Sequence, residues 1–214
     1  VTVSHPGGKV DQLTPPGLTT PDAGDVAELL VRIAQLGVSH FAMEASSHGI
    51  DQRRLDGVKL TAAGFLNLSQ DHLDYHITMD AYLKAKLRLF EQLMPRGATA
   101  VLNADNDAFP FFAAASVVSG QRVMSVGETG QALKLLERTL TPDGQRLSIR
   151  ADGRVWDVRL PLAGHFQASN ALVAAGLCKA AGLSYEEAFA GLEKLTGVAG
   201  RMQRVGTGAH GGEA

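Results

Sequence analysis

The sequence predicts an α/β fold: a mostly parallel sheet with flanking helices, and a small antiparallel patch towards the carboxyl end. Two observations predict this class. Up to about residue 126, short apolar runs alternate with stretches of helical periodicity, as they do where crossover helices join parallel strands. From about residue 133 to 162, short alternating segments flank turn signals such as Pro142-Asp143-Gly144, a pattern typical of antiparallel hairpins.

The chain begins with residues 1–18, which are rich in Gly and Pro and are predicted to be irregular. A helix is predicted over Thr20–Leu36, because a hydroxyl residue, a proline and an acid open it and Gly37 follows it. Two short apolar runs, Val38–Met43 and Leu60–Leu68, have the character of buried strands.

The middle of the chain continues the alternation. Thr78 is predicted to cap a helix that ends at Pro95–Gly97. Strands are predicted over Ala98–Leu102 and Val123–Val126, with a helix at about 107–118 between them. This order is that of a parallel sheet with crossover helices.

The carboxyl-terminal part contains two predicted helices, Phe166–Ala181 and Ser184–Leu195, and the second opens with the sequence of a capping box. Residues 206–214 carry too few apolar side chains to bury a core, so they are predicted to form a linker or disordered tail. The predicted domain therefore spans residues 1–205 and includes the antiparallel patch at about 133–162.

Composition narrows the possible functions. The chain has 214 residues, 45% of them hydrophobic, and a net charge of −2 without a block of Lys and Arg, which argues against a nucleic-acid partner. No apolar run approaches the ~20 residues that cross a bilayer, so membrane insertion is not expected. The single cysteine, Cys178, excludes an internal disulfide and lies among apolar neighbours, which predicts a packed thiol and suits a cytoplasmic protein.

Two polar clusters each follow a predicted strand: MEASSHGIDQRR from Met43 and DHLDYH from Asp71. Ligands bind at the carboxyl edge of a parallel sheet, where neighbouring strands are about 4.8 Å apart, so Glu44 and His72 are predicted to converge. Beside a phosphate substrate, Mg²⁺ or Mn²⁺ would be the natural metal. The alternative is that His72 caps a turn and Glu44 is a solvated loop acid.

Other polar residues are less specific. Ser46, Gln52 and Arg54 offer a hydroxyl, an amide and a guanidinium, which suit a sugar, a base edge and a phosphate or carboxylate, but ordinary loop polarity explains them almost as well. Lys86, taken alone, has the character of a surface lysine. The pair Ser47-His48 lacks the G-x-S-x-G elbow, which disfavours a serine hydrolase.

Seven motifs together resemble the central domain of the Mur ligase family, and most closely its MurE type, the UDP-N-acetylmuramoyl-tripeptide synthetases. The resemblance covers nearly the whole chain in the right order and is weakest at 1–18 and 110–160. The motifs are TTPDA from Thr19, MEASSHGIDQRR from Met43, NLSQDHLDYH from Asn67, MDAYLKAK from Met79, NADND from Asn103, GHFQASN from Gly164 and GRMQRV from Gly200.

The resemblance implies a reaction and its partners. Such enzymes use ATP to phosphorylate the terminal carboxylate of UDP-MurNAc-L-Ala-D-Glu, and the amine of a diamino acid then attacks the acyl phosphate in a step of peptidoglycan synthesis. Magnesium would be the cofactor and ATP the co-substrate. The implied fold resembles that of P-loop NTPases, but Gly7-Gly8-Lys9 lacks the spacing of a phosphate-binding loop, so the strand that carries that loop is not in this sequence.

The resemblance also assigns roles to individual residues. Glu44 and His72 would ligate magnesium, and Lys86 matches the lysine that the family carries as a carbamate (N6-carboxylysine), an anion that would orient the metal beside the transferring phosphoryl group. The implied contacts to UDP-MurNAc-dipeptide are Thr19, Thr20, Ser46, Gln52 and Arg54.

On the nucleotide side, the resemblance implies contacts from Gln167, Asn170 and Arg201. The family pattern commonly shows two asparagines here, and Gln167 replaces the first with a side chain one methylene longer. Asn170 keeps the second, and Arg201 falls at the family's domain boundary.

The resemblance further implies that this sequence is a fragment. The phosphate-binding loop is expected before Val1 and the domain for the incoming amino acid after Val205, so the 214-residue chain alone is expected to be inactive. The alternatives are a non-catalytic nucleotide-sugar-binding module, or a related ligase of the MurF, cyanophycin-synthetase or folylpolyglutamate-synthetase type. The SSHGIDQRR run favours the MurE type.

Overall fold

The computed structural model describes residues 2–4, 10–12, 19–69 and 73–197. It divides into two compact units: the described residues up to 60 together with 69 and 73–95 form the first, and 61–68 together with 96–197 form the second. Within these described ranges, no helix has both the length and the apolar character needed to span a bilayer.

The first unit is mainly helical. Its two short strands, β1 (Thr2–Ser4) and β2 (Val10–Gln12), pair antiparallel, so the prediction that residues 1–18 are irregular throughout is wrong. The reason is that backbone pairing needs only a few residues and little apolar periodicity. The helices are α1 (Ala23–Gln35), α2 (Ser47–Asp51), α3 (Leu73–His76) and α4 (Met79–Arg88), the last followed by a π-helical turn over Leu89–Leu93.

Local sequence explains where the helices of this unit begin and end. Helix α1 ends at Gln35, and Gly37 follows its C-cap with a φ of +71° and a hydrogen bond from its N–H to Ala34 O that closes the last turn. Helix α4 begins after Thr78, whose side chain accepts a hydrogen bond from Ala81 N at 3.2 Å. Both boundaries agree with the sequence signals.

The predicted strand at Val38–Met43 is wrong. These residues form no strand, and 39–42 are exposed. Ser39 Oγ instead lies 2.9 Å from His40 Nδ1, a local hydrogen bond. A short apolar run becomes a strand only if another strand pairs with it, and here none of the described strands does. Glu44 therefore does not follow a strand, and the premise that placed it at the sheet edge fails.

The second unit is built on a six-stranded sheet in the order β3-β4-β5-β6-β7-β8. The pairs from β3 to β6 are parallel, and those from β6 to β8 are antiparallel, so the predicted antiparallel patch continues the same sheet. The strands are β3 (Ala62–Phe65), β4 (Thr99–Asn103), β5 (Arg122–Gly127), β6 (Leu133–Thr141), β7 (Gly144–Ala151) and β8 (Arg154–Leu160). The helices are α5 (Phe109–Val118), α6 (Phe166–Ala180) and α7 (Tyr185–Leu192).

Close packing of α6 on the parallel strands forms the core of this unit. All five residues of β4 are buried, as expected for a central parallel strand. A Cβ on Gly176 of α6 would lie 2.5 Å from Val101 Cγ1, and one on Gly64 of β3 would lie 2.8 Å from Val173 Cγ1. Glycine at both positions lets the helix and the sheet approach. The predicted mostly parallel α/β sheet is confirmed.

Candidate functional site

The buried Thr20 and the half-buried Ser46 form a hydrogen-bonded pair in the first unit. Thr20 is 1% exposed, and its Oγ1 donates to Glu44 O at 3.1 Å and accepts from Ser46 N at 2.9 Å. The two hydroxyl oxygens are 2.9 Å apart, and Ser46 Oγ also accepts from Gly49 N as the N-cap of α2. The hydroxyl of Thr20 is thus fully used within the protein, whereas Ser46 keeps one lone pair and Thr19 is exposed.

Gly49 allows this pair to form. A Cβ at this position would lie 2.6 Å from both Cβ and Cγ2 of Thr20, far inside van der Waals contact. Any other residue would therefore displace Thr20 from Ser46. No local sequence pattern singles out this glycine, because Thr20, the residue that a Cβ would contact, is distant in the chain.

Arg54 is held in place by three groups of the same unit. Its Nη1 donates to Thr20 O at 2.7 Å, its Nη2 donates to Gln52 Oε1 at 2.5 Å, and its Nε lies 3.4 Å from Asp22 Oδ1. The side chain is 17% exposed. A guanidinium fixed in this way can present its remaining N–H groups to a carboxylate or phosphate with little loss of entropy on binding.

Tyr75 extends the network and was not predicted as a site residue. Its hydroxyl accepts from Gln52 Nε2 at 3.2 Å and donates to Asp51 Oδ2 at 2.9 Å. Hydrogen bonds therefore run in one direction from Arg54 through Gln52 and Tyr75 to Asp51. The sequence indicated only that Tyr75 belongs to the DHLDYH cluster. Its contact with Gln52 spans 23 residues and therefore leaves no local sequence pattern.

Aromatic rings link this network to α4. The rings of His48 and Tyr75 have centroids 4.0 Å apart, and His76 meets Tyr75 edge-on at 4.7 Å. His76 also stacks on Tyr82 at 5.2 Å, and Lys86 Nζ lies 5.1 Å from the centroid of the Tyr82 ring. Lys86 is half-buried, so it differs from the free surface lysine that its residue type alone suggested.

Arg88 fixes α4 to the segment that carries the predicted substrate residues. Its Nη1 donates to Ile50 O at 2.7 Å, and its Nη2 contacts both carboxylate oxygens of Asp56 at 2.8 and 2.7 Å. The side chain is 14% exposed, which strengthens the ion pair relative to a surface one. Arg88 lies two residues after Lys86, so this contact sets the position of Lys86 relative to α2.

The predicted metal ligands are described only in part. His72 lies outside the described residues. Glu44 is exposed with its backbone carbonyl held by Thr20, and Lys86 lies in the same unit. Within 19–69 and 73–197, no three His, Cys, Asp or Glu side chains are grouped closely enough to hold a metal ion. The Glu44 carboxylate is nevertheless a hard oxygen donor of the kind that Mg²⁺ prefers, and Lys86 would supply such donors only as a carbamate.

Two of the predicted nucleotide residues lie at the start of α6 in the second unit. Asn170 Nδ2 donates to Gln167 Oε1 at 3.3 Å, so the two amides form a pair, and both are half-buried. Arg201 lies outside the described residues. The substrate residues belong to the first unit and the amide pair to the second.

The NADND motif forms a turn after β4. Asn103 Nδ2 donates to Leu66 O at 2.8 Å, and the Asp105 carboxylate accepts from Glu128 N at 2.7 Å and Thr129 N at 2.8 Å. These bonds fix the ends of β3, β4 and β5 relative to each other. The hydrogen bonds of this motif thus give it a structural role in the sheet.

Cys178 is the one thiol of the chain and lies half-buried on α6. Burial raises its pKa, which disfavours the thiolate that a nucleophile requires. The prediction of a packed thiol agrees with this environment.

Comparison with known proteins identifies relatives over most of the chain. The model of the Mur ligase middle domain family matches residues 2–178. The chain is 66% identical over 214 residues to UDP-N-acetylmuramoyl-L-alanyl-D-glutamate–2,6-diaminopimelate ligase of Caulobacter vibrioides; the match covers 100% of this chain and 44% of that protein. The chain therefore spans less than half the length of this relative.

Solved structures show the same likeness. A structure of UDP-N-acetylmuramoyl-L-alanyl-D-glutamate–2,6-diaminopimelate ligase matches 93% of this chain and 41% of its own, with a TM-score of 0.81 and 29% identity. MurF from Acinetobacter baumannii matches 71% of this chain and 33% of its own, with a TM-score of 0.64 and 26% identity. The likeness to the diaminopimelate ligase is thus the more extensive of the two.

Proposed function

The chain belongs to the Mur ligase middle domain family, and from this premise we propose that it is the central part of an ATP-dependent amide ligase of peptidoglycan synthesis. The proposed reaction adds a diamino acid, 2,6-diaminopimelate, to UDP-MurNAc-L-Ala-D-Glu through an acyl phosphate. The name of the relative that is 66% identical supports this substrate pair. Because the chain spans 44% of that relative, the complete reaction is proposed for the native-length protein.

The observation that carries this proposal is the network around Arg54. The residues that by resemblance would form the sugar-peptide site are Ser46, Gln52 and Arg54. They lie in one hydrogen-bonded group with Thr20. We propose that the Arg54 guanidinium binds an anionic group of the substrate, and that Ser46 and Gln52 hydrogen-bond its polar groups. Thr20 would act by holding Ser46 and Arg54, and the exposed Thr19 would contact substrate directly.

Lys86 is the proposed catalytic residue. Its ammonium group would lose one proton, and the resulting amine would add to CO₂ and release a second proton, so that a cation becomes a carbamate anion. Glu44, His72 and this carbamate would hold magnesium. A bound magnesium ion supplies charge neutralisation for the transferring phosphoryl group.

The proposed contacts to the adenine nucleotide are Gln167, Asn170 and Arg201. The proposed location is the cytoplasm, where ATP is available.

The test is an assay of ADP release and amide product with the native-length protein. We expect turnover to require ATP, UDP-MurNAc-L-Ala-D-Glu and 2,6-diaminopimelate together. Arg54→Leu should raise KM for the nucleotide-sugar peptide by about tenfold or more, since a charge-assisted contact is lost. Arg53→Leu is the matched control, because the Arg53 side chain is 75% exposed and its ion pair with Asp56 is as long as 3.9 Å.

Two outcomes would contradict the proposal. Turnover that instead requires a UDP-MurNAc-tripeptide and D-alanyl-D-alanine would favour the MurF type. Tight binding of the nucleotide-sugar peptide without any ATP-dependent product would favour a non-catalytic binding module.

A further inference from the structure

Gln145 is an amide in a position that otherwise suits an apolar residue. It lies in β7, the strand between β6 and β8, and is fully buried at 0% exposure. Leu147 and Ile149, which share its face of the strand, are also fully buried. Burying an amide is unfavourable unless the protein replaces its hydrogen bonds to water, so the side chain is expected to make contacts that a leucine would not.

Both amide hydrogens of Gln145 bind one segment, the connection from β8 to α6. Nε2 donates to Leu162 O at 2.9 Å and to Gly164 O at 2.9 Å. Its Oε1 is buried and has no hydrogen-bond partner among the described residues. Both described hydrogen bonds of this side chain are therefore donated by Nε2, and they fix the β8–α6 connection.

The residue before it approaches the same segment. Gly144 has a φ of +147°, and a Cβ at this position would lie 2.9 Å from both Leu162 N and Pro161 Cα and would also clash with Leu160 O. Only glycine permits this approach of the β6–β7 turn. The backbone at Gly144 and the side chain of Gln145 thus hold the connection at neighbouring points.

One carbonyl joins this contact to the amide pair at the start of α6. Gly164 O accepts from Gln145 Nε2 and also from Gln167 N, the latter at 3.1 Å. Gln167 Oε1 in turn accepts from Asn170 Nδ2 at 3.3 Å. A continuous set of hydrogen bonds therefore runs from the buried amide of Gln145 to Gln167 and Asn170.

We propose that Gln145 is a positioning residue for the adenine-nucleotide end of this domain. It fixes the first turn of α6, and thereby the direction in which Gln167 and Asn170 present their amides, without touching the nucleotide. The inference rests on the proposed function, in which these two residues contact ATP. It adds a positioning role for a strand residue that has no place in the family motifs quoted above.

The test compares Gln145→Met with Leu147→Ala in the native-length protein. Methionine has nearly the same volume as glutamine and no donor, so we expect KM for ATP to rise about fivefold or more while KM for UDP-MurNAc-L-Ala-D-Glu stays within about twofold. Leu147→Ala is the control: it lies on the same face of the same strand and is equally buried, but leaves both bonds to the connection intact. Its KM for ATP should stay within about twofold of the parent.

Hydrogen exchange gives a second readout that does not depend on turnover. The Gln167 amide, which is bonded to Gly164 O, should exchange faster in Gln145→Met than in Leu147→Ala at matched stability. If Gln145→Met fails to fold, Gln145→Leu carries the same comparisons, because leucine is also uncharged, is similar in size and has no hydrogen-bond donor.

The outcomes separate this inference from the proposed function. An active parent whose KM for ATP is unchanged by Gln145→Met, or raised equally by Leu147→Ala, would overturn the inference alone. A parent without ATP-dependent ligation would contradict the proposed function. In that case, unchanged exchange at Gln167 in the Gln145 variant would overturn the positioning role as well.

Discussion

At the scale of single residues, the direction of the Gln52 amide is set by its two neighbours. Its oxygen accepts from Arg54 and its nitrogen donates to Tyr75. Because Tyr75 donates onward to Asp51, the tyrosine hydroxyl can only accept from Gln52, which excludes the flipped amide. Tyr75 is therefore a positioning residue for the proposed substrate contacts of Gln52 and Arg54.

Tyr75→Phe tests this role. The change removes both hydrogen bonds of the hydroxyl and keeps the ring contacts to His48 and His76. Since each such bond contributes about 1 kcal/mol, we expect the Kd for UDP-MurNAc-L-Ala-D-Glu to rise about three- to tenfold in a calorimetric titration. Tyr185→Phe, in the second unit, is the control and should leave this Kd unchanged. Equal effects of the two variants would contradict the role.

At the scale of elements, α4 begins and is oriented by identifiable residues. Thr78 caps its first turn, and Arg88 joins its last turn to Ile50 and Asp56. The cap was predictable from sequence because it is local. The contacts of Arg88 were not, because Asp56 lies 32 residues away and only the folded chain brings the two together.

Arg88→Lys should weaken the contacts that hold α4 to Ile50 and Asp56, although the substitution conserves the positive charge. A lysine cannot reach Ile50 O and Asp56 together, so we expect the free energy of unfolding to fall by about 1–3 kcal/mol in urea denaturation. Arg53→Lys offers a matched comparison, because Arg53 pairs with the same Asp56 at 3.9 Å but is 75% exposed. It should change the free energy by less than about 0.5 kcal/mol. Similar losses in both variants would contradict a specific role for Arg88.

Helix α7 provides a pH-dependent test. Burial, together with the negative charge of Asp152, raises the pKa of Tyr185 to about 12. The unfolded chain loses this proton near pH 10, so the folded state binds more protons between about pH 10 and 12. The free energy of unfolding should therefore decrease as pH rises through this window. Tyr185→Phe should show a shallower decrease, and an equally steep one would contradict the raised pKa.

At the scale of the whole molecule, the sheet and its packing helices were largely predictable. The strands β3, β4 and β5 coincide with apolar runs, and the capping box at Ser184 is present in α7. Buried parallel strands and capped helices leave local patterns that a single sequence displays.

The predictions that failed or were missed depend on distant neighbours. Val38–Met43 has the composition of a strand but no partner among the described strands. The roles of Gly49 and Gln145 come from contacts with Thr20 and with the β8–α6 connection, which no local pattern reveals. Candidate site residues could thus be predicted from the sequence, whereas the residues that hold them in position could be identified only from the fold.

The Arg54 network is proposed to bind the sugar-peptide part of the substrate. The most direct measurement is a calorimetric titration of the native-length protein with UDP-MurNAc-L-Ala-D-Glu and with UDP, repeated for Arg54→Leu. We predict that the parent binds the sugar peptide at least about a hundredfold more tightly than UDP, and that Arg54→Leu loses most of this difference. Equal affinity of the parent for the two ligands, or a difference that Arg54→Leu leaves intact, would exclude this role of the Arg54 network.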